Sequence, residues 1–393
     1  MSRPGLEFLR PTWAEVDLDA LTANLAAIRA QVGSVPQLAV IKADAYGHGA
    51  VRVARSLERC GVAFLGVALP EEGIEIRRAG VRVPIVLLGG FAPPQADLVL
   101  QHDLIPAVFR IDQVQALSGA AARRRVRAAV HLKIDTGMSR LGVTPRDAAD
   151  FAARIRAASN LDLAGVFSHL AAADTPDDPF TSRQLEVFQE SLRSLAGIGL
   201  RPSVVHLANS AGIIDHPPTW LSLVRPGISL YGYPPSRRTP ALRLRPALSL
   251  CSSIIYLREI PPGASIGYGR TYAARERARI ATLAIGYNDG LPCRLGNRGY
   301  VLIRGRRAPI VGRVSMDLAT VDVSGIPDVE LGDTAVICGH SGGESLGADR
   351  IASWAETHIW DVLCGIGPRV PRAYLEEGEW TVSSRFTNAG PLA

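Results

Sequence analysis

Of the 43 basic residues in this 393-residue chain, only Lys42 and Lys133 are lysines; the others are arginines. A guanidinium stays protonated and forms no imine, whereas a lysine amine with a depressed pKa serves as nucleophile, base or imine partner. The two lysines are therefore the candidates for amine chemistry. Lys42 follows the apolar run Leu38–Ile41, so its stem would be walled by a core, and desolvation pushes a lysine toward neutrality. A neutral amine attacks an aldehyde.

Positioning these groups requires a scaffold. The first two-thirds of the chain alternates short apolar runs with amphipathic stretches such as 50–60, 146–158 and 182–195. That alternation predicts parallel strands joined by crossover helices. Eight strand candidates can be read: 38–42, 64–69, 85–88, 104–109, 130–134, 163–169, 204–207 and 228–231. Eight such pairs predict an α/β fold with an N-terminal (β/α)8 TIM-type barrel over residues 1–243. A helix over 18–32, N-capped by Asp17 or Asp19, would cover its bottom or flank. Beyond Arg243 short β-type runs split by Gly and Pro predict a mainly β domain over 244–393, with the proline-rich stretch 233–246 as linker.

In such a barrel the loops after the strands form the active-site face. Both lysines fall there, as do Tyr46, His48, Asp135, Arg140, His169, His206, Ser210, Arg225 and Gly227. Ser210, Gly227 and Tyr46 sit on loops whose backbone N–H groups could cradle a phosphate. An imine-forming lysine and a phosphate cradle together suit pyridoxal phosphate.

Composition narrows the class. Hydrophobic residues make up 47% and charged residues 20%, enough to build packed cores and too little charge for a disordered polymer. No apolar run reaches the roughly 20 residues of a membrane span, and the first 13 residues carry no apolar leader core. Five scattered cysteines, with no C-x-x-C pair, indicate neither a disulfide framework nor a thiolate metal site, which fits a reducing cytoplasm. The net charge of +6 and the cluster Arg123, Arg124, Arg125 and Arg127 could suggest nucleic acid; following an alanine-rich helical stretch, the cluster reads as a solvated helix end.

Specific motifs extend this reading. The segment 39–49 (AVIKADAYGHG), with 131–140 (HLKIDTGMSR), 206–210 (HLANS), 225–227 (RPG), 267–272 (GYGRTY), 311–317 (VGRVSMD) and 369–374 (RVPRAY), resembles the blocks of the alanine racemases in family order. The resemblance covers about Thr12 to Tyr374. It implies an isomerase that interconverts L- and D-alanine, uses pyridoxal 5′-phosphate, supplies D-alanine for cell-wall synthesis, and works as a homodimer whose active sites are completed by the partner's second domain. It implies that Lys42 holds the cofactor and is one base, and that Tyr268 from the other subunit is the opposite base. Arg225 would meet the pyridine nitrogen and His169 would orient it. Tyr46, Ser210, Gly227 and Ile228 would bind the phosphate. Arg140 would contact the cofactor phenol oxygen or the substrate carboxylate, which the backbone of Met316 would help hold. Lys133 corresponds to a lysine that is carbamylated in family members, its alternative being an unmodified amine paired with Asp135. No metal, nucleic acid or membrane partner is implied.

The sequence departs from the family pattern at three places near the pocket. Trp360 stands for a usual tyrosine, Ser315 for a frequent cysteine, and Leu291 for a common aromatic residue. Alanine is the expected substrate, with serine or a broader amino-acid range as the alternative. Three rivals have less support. A metal-dependent hydrolase could draw on His131, His169, His206 and Lys133, but lacks an early H-x-H. A barrel decarboxylase would want a glycine triplet where this chain has only Gly89-Gly90. A non-catalytic pyridoxal-binding protein would have no use for a second domain carrying Tyr268.

Overall fold

A computed structural model describes residues 10–235 and 242–383; the middle of the expected linker, 236–241, lies outside them. The chain forms two compact units, Thr22–Ala45 with Ala50–Arg245, and Met1–Leu21 with Tyr46–Gly49 and Pro246–Ala393.

The first unit is built on a parallel seven-stranded sheet in chain order: Leu38–Val40, Phe64–Val67, Ile85–Leu87, Leu104–Val108, Ala128–Lys133, Leu161–Phe167 and Val204–His206. These strands coincide with seven of the eight expected runs. Between them run helices such as Ala50–Arg59, Ile111–Arg124 and Phe180–Gly197. Their apolar faces cover strands that are buried along much of their length, as both faces of a parallel sheet must be. The eighth expected strand, at Ile228, is a turn. The sheet closes instead one segment earlier, through parallel bridges from Leu223 to His206 and from Val224 to Gln37. Pro226, which lacks an N–H, cannot extend this ladder as a donor, although its carbonyl accepts from the Val40 N–H at 2.9 Å. A barrel-like α/β unit results.

The second unit is mainly β. Its long strand Leu248–Ile260 pairs antiparallel with Thr334–Ser341, Ala278–Leu283 and Thr12–Asp17. Thr12–Asp17 also pairs in parallel with Arg372–Glu376. The expected division at residue 243 therefore needs correction at the N-terminus: this first strand fills a slot inside the β sheet, where both its edges are hydrogen-bonded. Strands Tyr300–Ile303 and Thr334–Ser341 belong to this unit, whereas the apolar stretch 310–314 is irregular apart from a bridge at Ile310. At the head of helix Leu18–Val32 it is Asp17 that caps, its Oδ1 accepting from the Ala20 N–H at 2.7 Å, while Asp19 accepts from the Glu377 N–H. Among the described residues no helix is long and apolar enough to cross a membrane.

Candidate active site

Each barrel strand delivers its last residue to one face, and the polar groups converge there. Lys42 emerges half-buried from Leu38–Val40. The chain then turns through Ala43, Asp44, Ala45 and Tyr46, all with φ of 53°. Four consecutive non-glycine residues in the left-handed region cost roughly 1–2 kcal/mol each, so something must hold them. Glu72 does so, with Oε1 accepting from the Ala43 N–H at 2.6 Å and Oε2 from the N–H groups of Ala68 and Leu69 at 2.7 and 3.1 Å. Asp44 accepts in turn from the Ala50 N–H at 2.7 Å.

The segment Tyr46–Gly49 belongs to the β unit. A side chain at Gly47 would lie 2.2 Å from the Leu363 carbonyl oxygen, and φ there is +79°, so only glycine fits. Arg372 donates to the Gly47 carbonyl at 3.1 Å. Tyr46 is buried, and that burial pushes its hydroxyl upward, with the Cys364 thiol adding to the shift.

Arg225, only 3% exposed, is a buried cation held by several partners. Its Nη2 donates to the carbonyls of Ser168 and Leu207 at 2.8 and 3.0 Å and approaches His169 Nδ1 at 3.2 Å; its Nη1 meets His206 Nδ1 at 3.1 Å. Burial lowers its pKa to about 9, which still leaves it charged at neutral pH. The Nε–H carries no hydrogen bond among the described residues, so a fixed donor remains for an acceptor outside the chain. His169 is held well below its ordinary pKa by burial and by Arg225, Arg140, Lys133 and Lys42, and so is a neutral ring able to accept from Arg225.

Lys133, 6% exposed, donates to the Leu88 carbonyl at 3.3 Å and stands 5.2 Å from the Phe167 ring centroid. Burial, then Arg225, Arg140 and Lys42, push its pKa down to about 8 against an opposing pull from Asp135. The Asp135 carboxylate is turned to its own loop, accepting from the N–H groups of Gly137, Ser139 and Arg140 at 2.9, 3.0 and 3.1 Å. That loop presents Arg140 to solvent. Ser210 Oγ accepts from the Gly227 N–H at 2.9 Å and the Ser229 N–H at 3.3 Å, tying the segment that carries Gly227 and Ile228 to the start of helix Ser210–Asp215. The cations here, Lys42, Lys133, Arg140 and Arg225, outnumber the nearby carboxylates. This excess suits an anionic ligand such as a phosphate with a ring nitrogen that accepts from Arg225.

Tyr268 and Met316 lie in the β unit. Tyr268 is 74% exposed and lines, with Arg313, Ser315 and Leu318, a hollow of about 510 Å³. Gly286, Tyr287 and Asn288 hold the 315–316 backbone, the last two donating to the carbonyls of Ser315 and Met316 at 2.9 and 3.1 Å. Ser315 Oγ donates to the Leu318 carbonyl at 2.7 Å, a bond for which serine is the better donor than the cysteine common in the family. Trp360 is 37% exposed and Leu291 fully buried.

Sequence reasoning missed Glu72, Asp289 and the inner histidines His131 and His206 as parts of the supporting structure. A glutamate in a helix's first turn and an aspartate in a Gly-rich loop carry no distinctive spacing. The sequence suggests no structural role for the two histidines, yet His131 Nδ1 and His206 Nε2 face each other at 3.0 Å. Among the described residues no three His, Cys, Asp or Glu side chains gather as a metal site. The arginine cluster ends its helix paired with carboxylates, Arg123 with Asp97 at 2.5 Å and Arg127 with Asp162 at 3.3 Å.

Buried charge massed at the strand ends of a parallel barrel is the mark of a barrel enzyme rather than an inert scaffold. Residues 16–235 match the alanine racemase N-terminal domain and residues 247–374 the alanine racemase C-terminal domain. The alanine racemase of Halothermothrix orenii is 45% identical over 93% of this chain and 97% of its own. Among solved structures, alanine racemase from Clostridium difficile 630 superposes with a TM-score of 0.92 at 36% identity, covering 96% of this chain and 99% of that one. The Bacillus anthracis enzyme, solved with bound L-Ala-P, gives a TM-score of 0.92 at 34% identity over 97% and 100% of the two chains. The chain belongs to the alanine racemase family, whose members are isomerases.

Proposed function

We propose that this chain interconverts L- and D-alanine as a cytoplasmic homodimer using pyridoxal 5′-phosphate, and so provides D-alanine for cell-wall synthesis. The observation that carries the reading is Arg225: buried, anchored at the ends of two strands, and left with a donor that meets no acceptor among the described residues. When bound, the cofactor supplies an electron-withdrawing ring that acidifies the Cα–H of the attached amino acid.

The chain's residues do the rest. Lys42 holds the cofactor covalently and exchanges the Cα proton on one face, and the partner subunit's Tyr268 exchanges it on the other. Two bases on opposite faces invert the centre, where a single fixed base does so less readily. The exposure of Tyr268 on its own β unit supports a role toward another chain. Arg225, still a cation at neutral pH, donates to the ring nitrogen without giving up its proton. Such a donor would temper the electron withdrawal that the cofactor supplies when bound, and would favour return of the proton to Cα over transamination. His169 orients Arg225, and Tyr46, Ser210, Gly227 and Ile228 bind the phosphate. Arg140 contacts the phenol oxygen or the substrate carboxylate, and the Met316 backbone holds that carboxylate.

The depressed pKa of Lys133 supports carbamylation. Its neutral amine would add to CO₂ and release a proton, and the resulting anion would hold Arg140. The L-Ala-P in the Bacillus anthracis relative supports an alanine-sized substrate. The decisive experiment follows loss of the α-hydrogen from each alanine enantiomer in heavy water, with borohydride reduction and peptide mapping in parallel. Equal exchange coupled to inversion, with the pyridoxyl label on Lys42, is expected. A label elsewhere, or serine turned over as efficiently as alanine, would overturn the assignment.

A further inference from the structure

We infer that His131 is a positioning residue for Arg225, acting through His206: the three form one hydrogen-bonded chain in which every proton points away from the guanidinium. The inference rests on the reading that Arg225 meets the cofactor's ring nitrogen.

The direction follows from elementary donor and acceptor rules. Arg225 can only donate. Its Nη1 lies 3.1 Å from His206 Nδ1, so that nitrogen must be the acceptor. A neutral His206 then carries its hydrogen on Nε2, which lies 3.0 Å from His131 Nδ1. His131 must accept in turn, and its hydrogen sits on its own Nε2. That last atom is buried and has no hydrogen-bond partner. It packs against Gly165, where an added Cβ would fall 2.6 Å away. The ring of Phe167 stacks on His206 at 4.7 Å with planes 12° apart and fixes the imidazole's orientation.

An unpaired buried N–H is costly, and proteins rarely leave one. Here the orphan lies two rings from Arg225. Without an acceptor at position 131, His206 would either hold the unpaired hydrogen itself or move it to Nδ1. A hydrogen on Nδ1 would face the Nη1 hydrogens and break the contact that keeps the guanidinium in place. Protonating either ring would add a second buried cation to the charge that Arg225 already supplies. Burial first, and then Arg225, hold both histidines below their ordinary pKa, that of His131 at about 4, in keeping with neutral rings.

The test uses the full-length protein with ¹⁵N-labelled histidine, with and without added pyridoxal phosphate, read by long-range ¹H–¹⁵N correlation. Both His131 and His206 are expected as Nε2–H tautomers that do not titrate between pH 5.5 and 9, in either form. In His131→Leu, His206 should become a tautomer mixture, and kcat should fall at least tenfold while KM for alanine stays within about twofold. His131→Asn keeps an acceptor and should recover kcat to within about threefold of the parent. An Nδ1–H tautomer or a titrating ring in the parent protein overturns the inference, as does parental kcat in His131→Leu. Should His131→Leu fail to fold, the parent tautomers and His131→Asn still decide. A separate measurement with ring-¹⁵N pyridoxal phosphate tests the Arg225 reading itself: a protonated ring nitrogen would sink that reading and leave the histidine tautomers, already read without cofactor, as they were.

Discussion

The carboxylate of Asp289 offers the sharpest stability test. Its side chain is fully buried and accepts from Arg10 Nη1 and Nη2 at 2.5 and 2.7 Å, from Arg369 Nε at 2.6 Å, and from the Gly286 N–H at 3.0 Å. Arg369 also bonds Asp317 at 2.6 Å, so one ion cluster clamps the loops that carry Asn288 and Met316. Removing one partner of a buried pair costs about 3–5 kcal/mol. Arg10 and Arg369 keep 26% and 30% of their side chains in solvent, and water there compensates in part. The lower end, about 3 kcal/mol, is therefore expected for Asp289→Ala, and about 2 kcal/mol for Asp289→Asn, which keeps an acceptor. For a unit of this size about 3 kcal/mol corresponds to a Tm drop of roughly 6–12 °C, readable by calorimetry, with a raised KM for alanine as the Met316 backbone loosens. Burial alone would raise the pKa of Asp289, but the bonds from Arg10 and Arg369 outweigh it and hold the carboxyl below its ordinary value. Its contribution is thus present above roughly pH 4 and lost as the pH falls through the folded value. The gap between parent and Asp289→Asn should close in that range. A gap that stays constant down to pH 3, or a Tm shift under about 2 °C, would refute the clamp.

Three further outcomes are expected. Ser210→Ala strands the buried Gly227 N–H, a loss of about 1–3 kcal/mol, and should weaken pyridoxal phosphate binding roughly ten- to hundredfold in equilibrium titration. Glu72→Ala frees the left-handed turn after Lys42 and should cost about 1–2 kcal/mol in urea unfolding, with slower formation of the borohydride-trapped Lys42 adduct; an unchanged adduct rate would count against the anchor. Buried His131, His169 and His206 are all held below their ordinary pKa by burial and by Arg225. The unfolded chain therefore binds more protons than the folded one below about pH 6.5, so stability is complete above that value and falls as acid is added. Replacing His131 should flatten the slope of stability against pH between about 6.5 and 4; an unaltered slope would mean that the ring charges in the native state.

What could be read in the sequence was what local pattern encodes. Seven parallel strands followed from alternating apolar runs, because burial on both sheet faces demands them. The importance of Lys42 and Lys133 followed from the rarity of lysine, and the family from contiguous motifs. The eighth strand was misread because Ile228–Tyr231 is apolar enough for a strand, while closure depends on which backbone groups meet across the barrel. The place of Thr12–Asp17 in the β sheet was not legible because strand pairing over more than 200 residues leaves no local trace. Nothing in Ala43–Tyr46 announces left-handed backbone; alanine disfavours it, and the Glu72 carboxylate, brought from a different helix, helps offset the strain. The same holds for His131, whose type suggested a metal ligand, whereas the fold engages its Nδ1 with His206 and leaves its Nε2 buried and unpaired. Residue chemistry was thus determined along the chain, whereas strain, tautomer and charge state were decided by the fold, because each depends on partners that only long-range packing supplies.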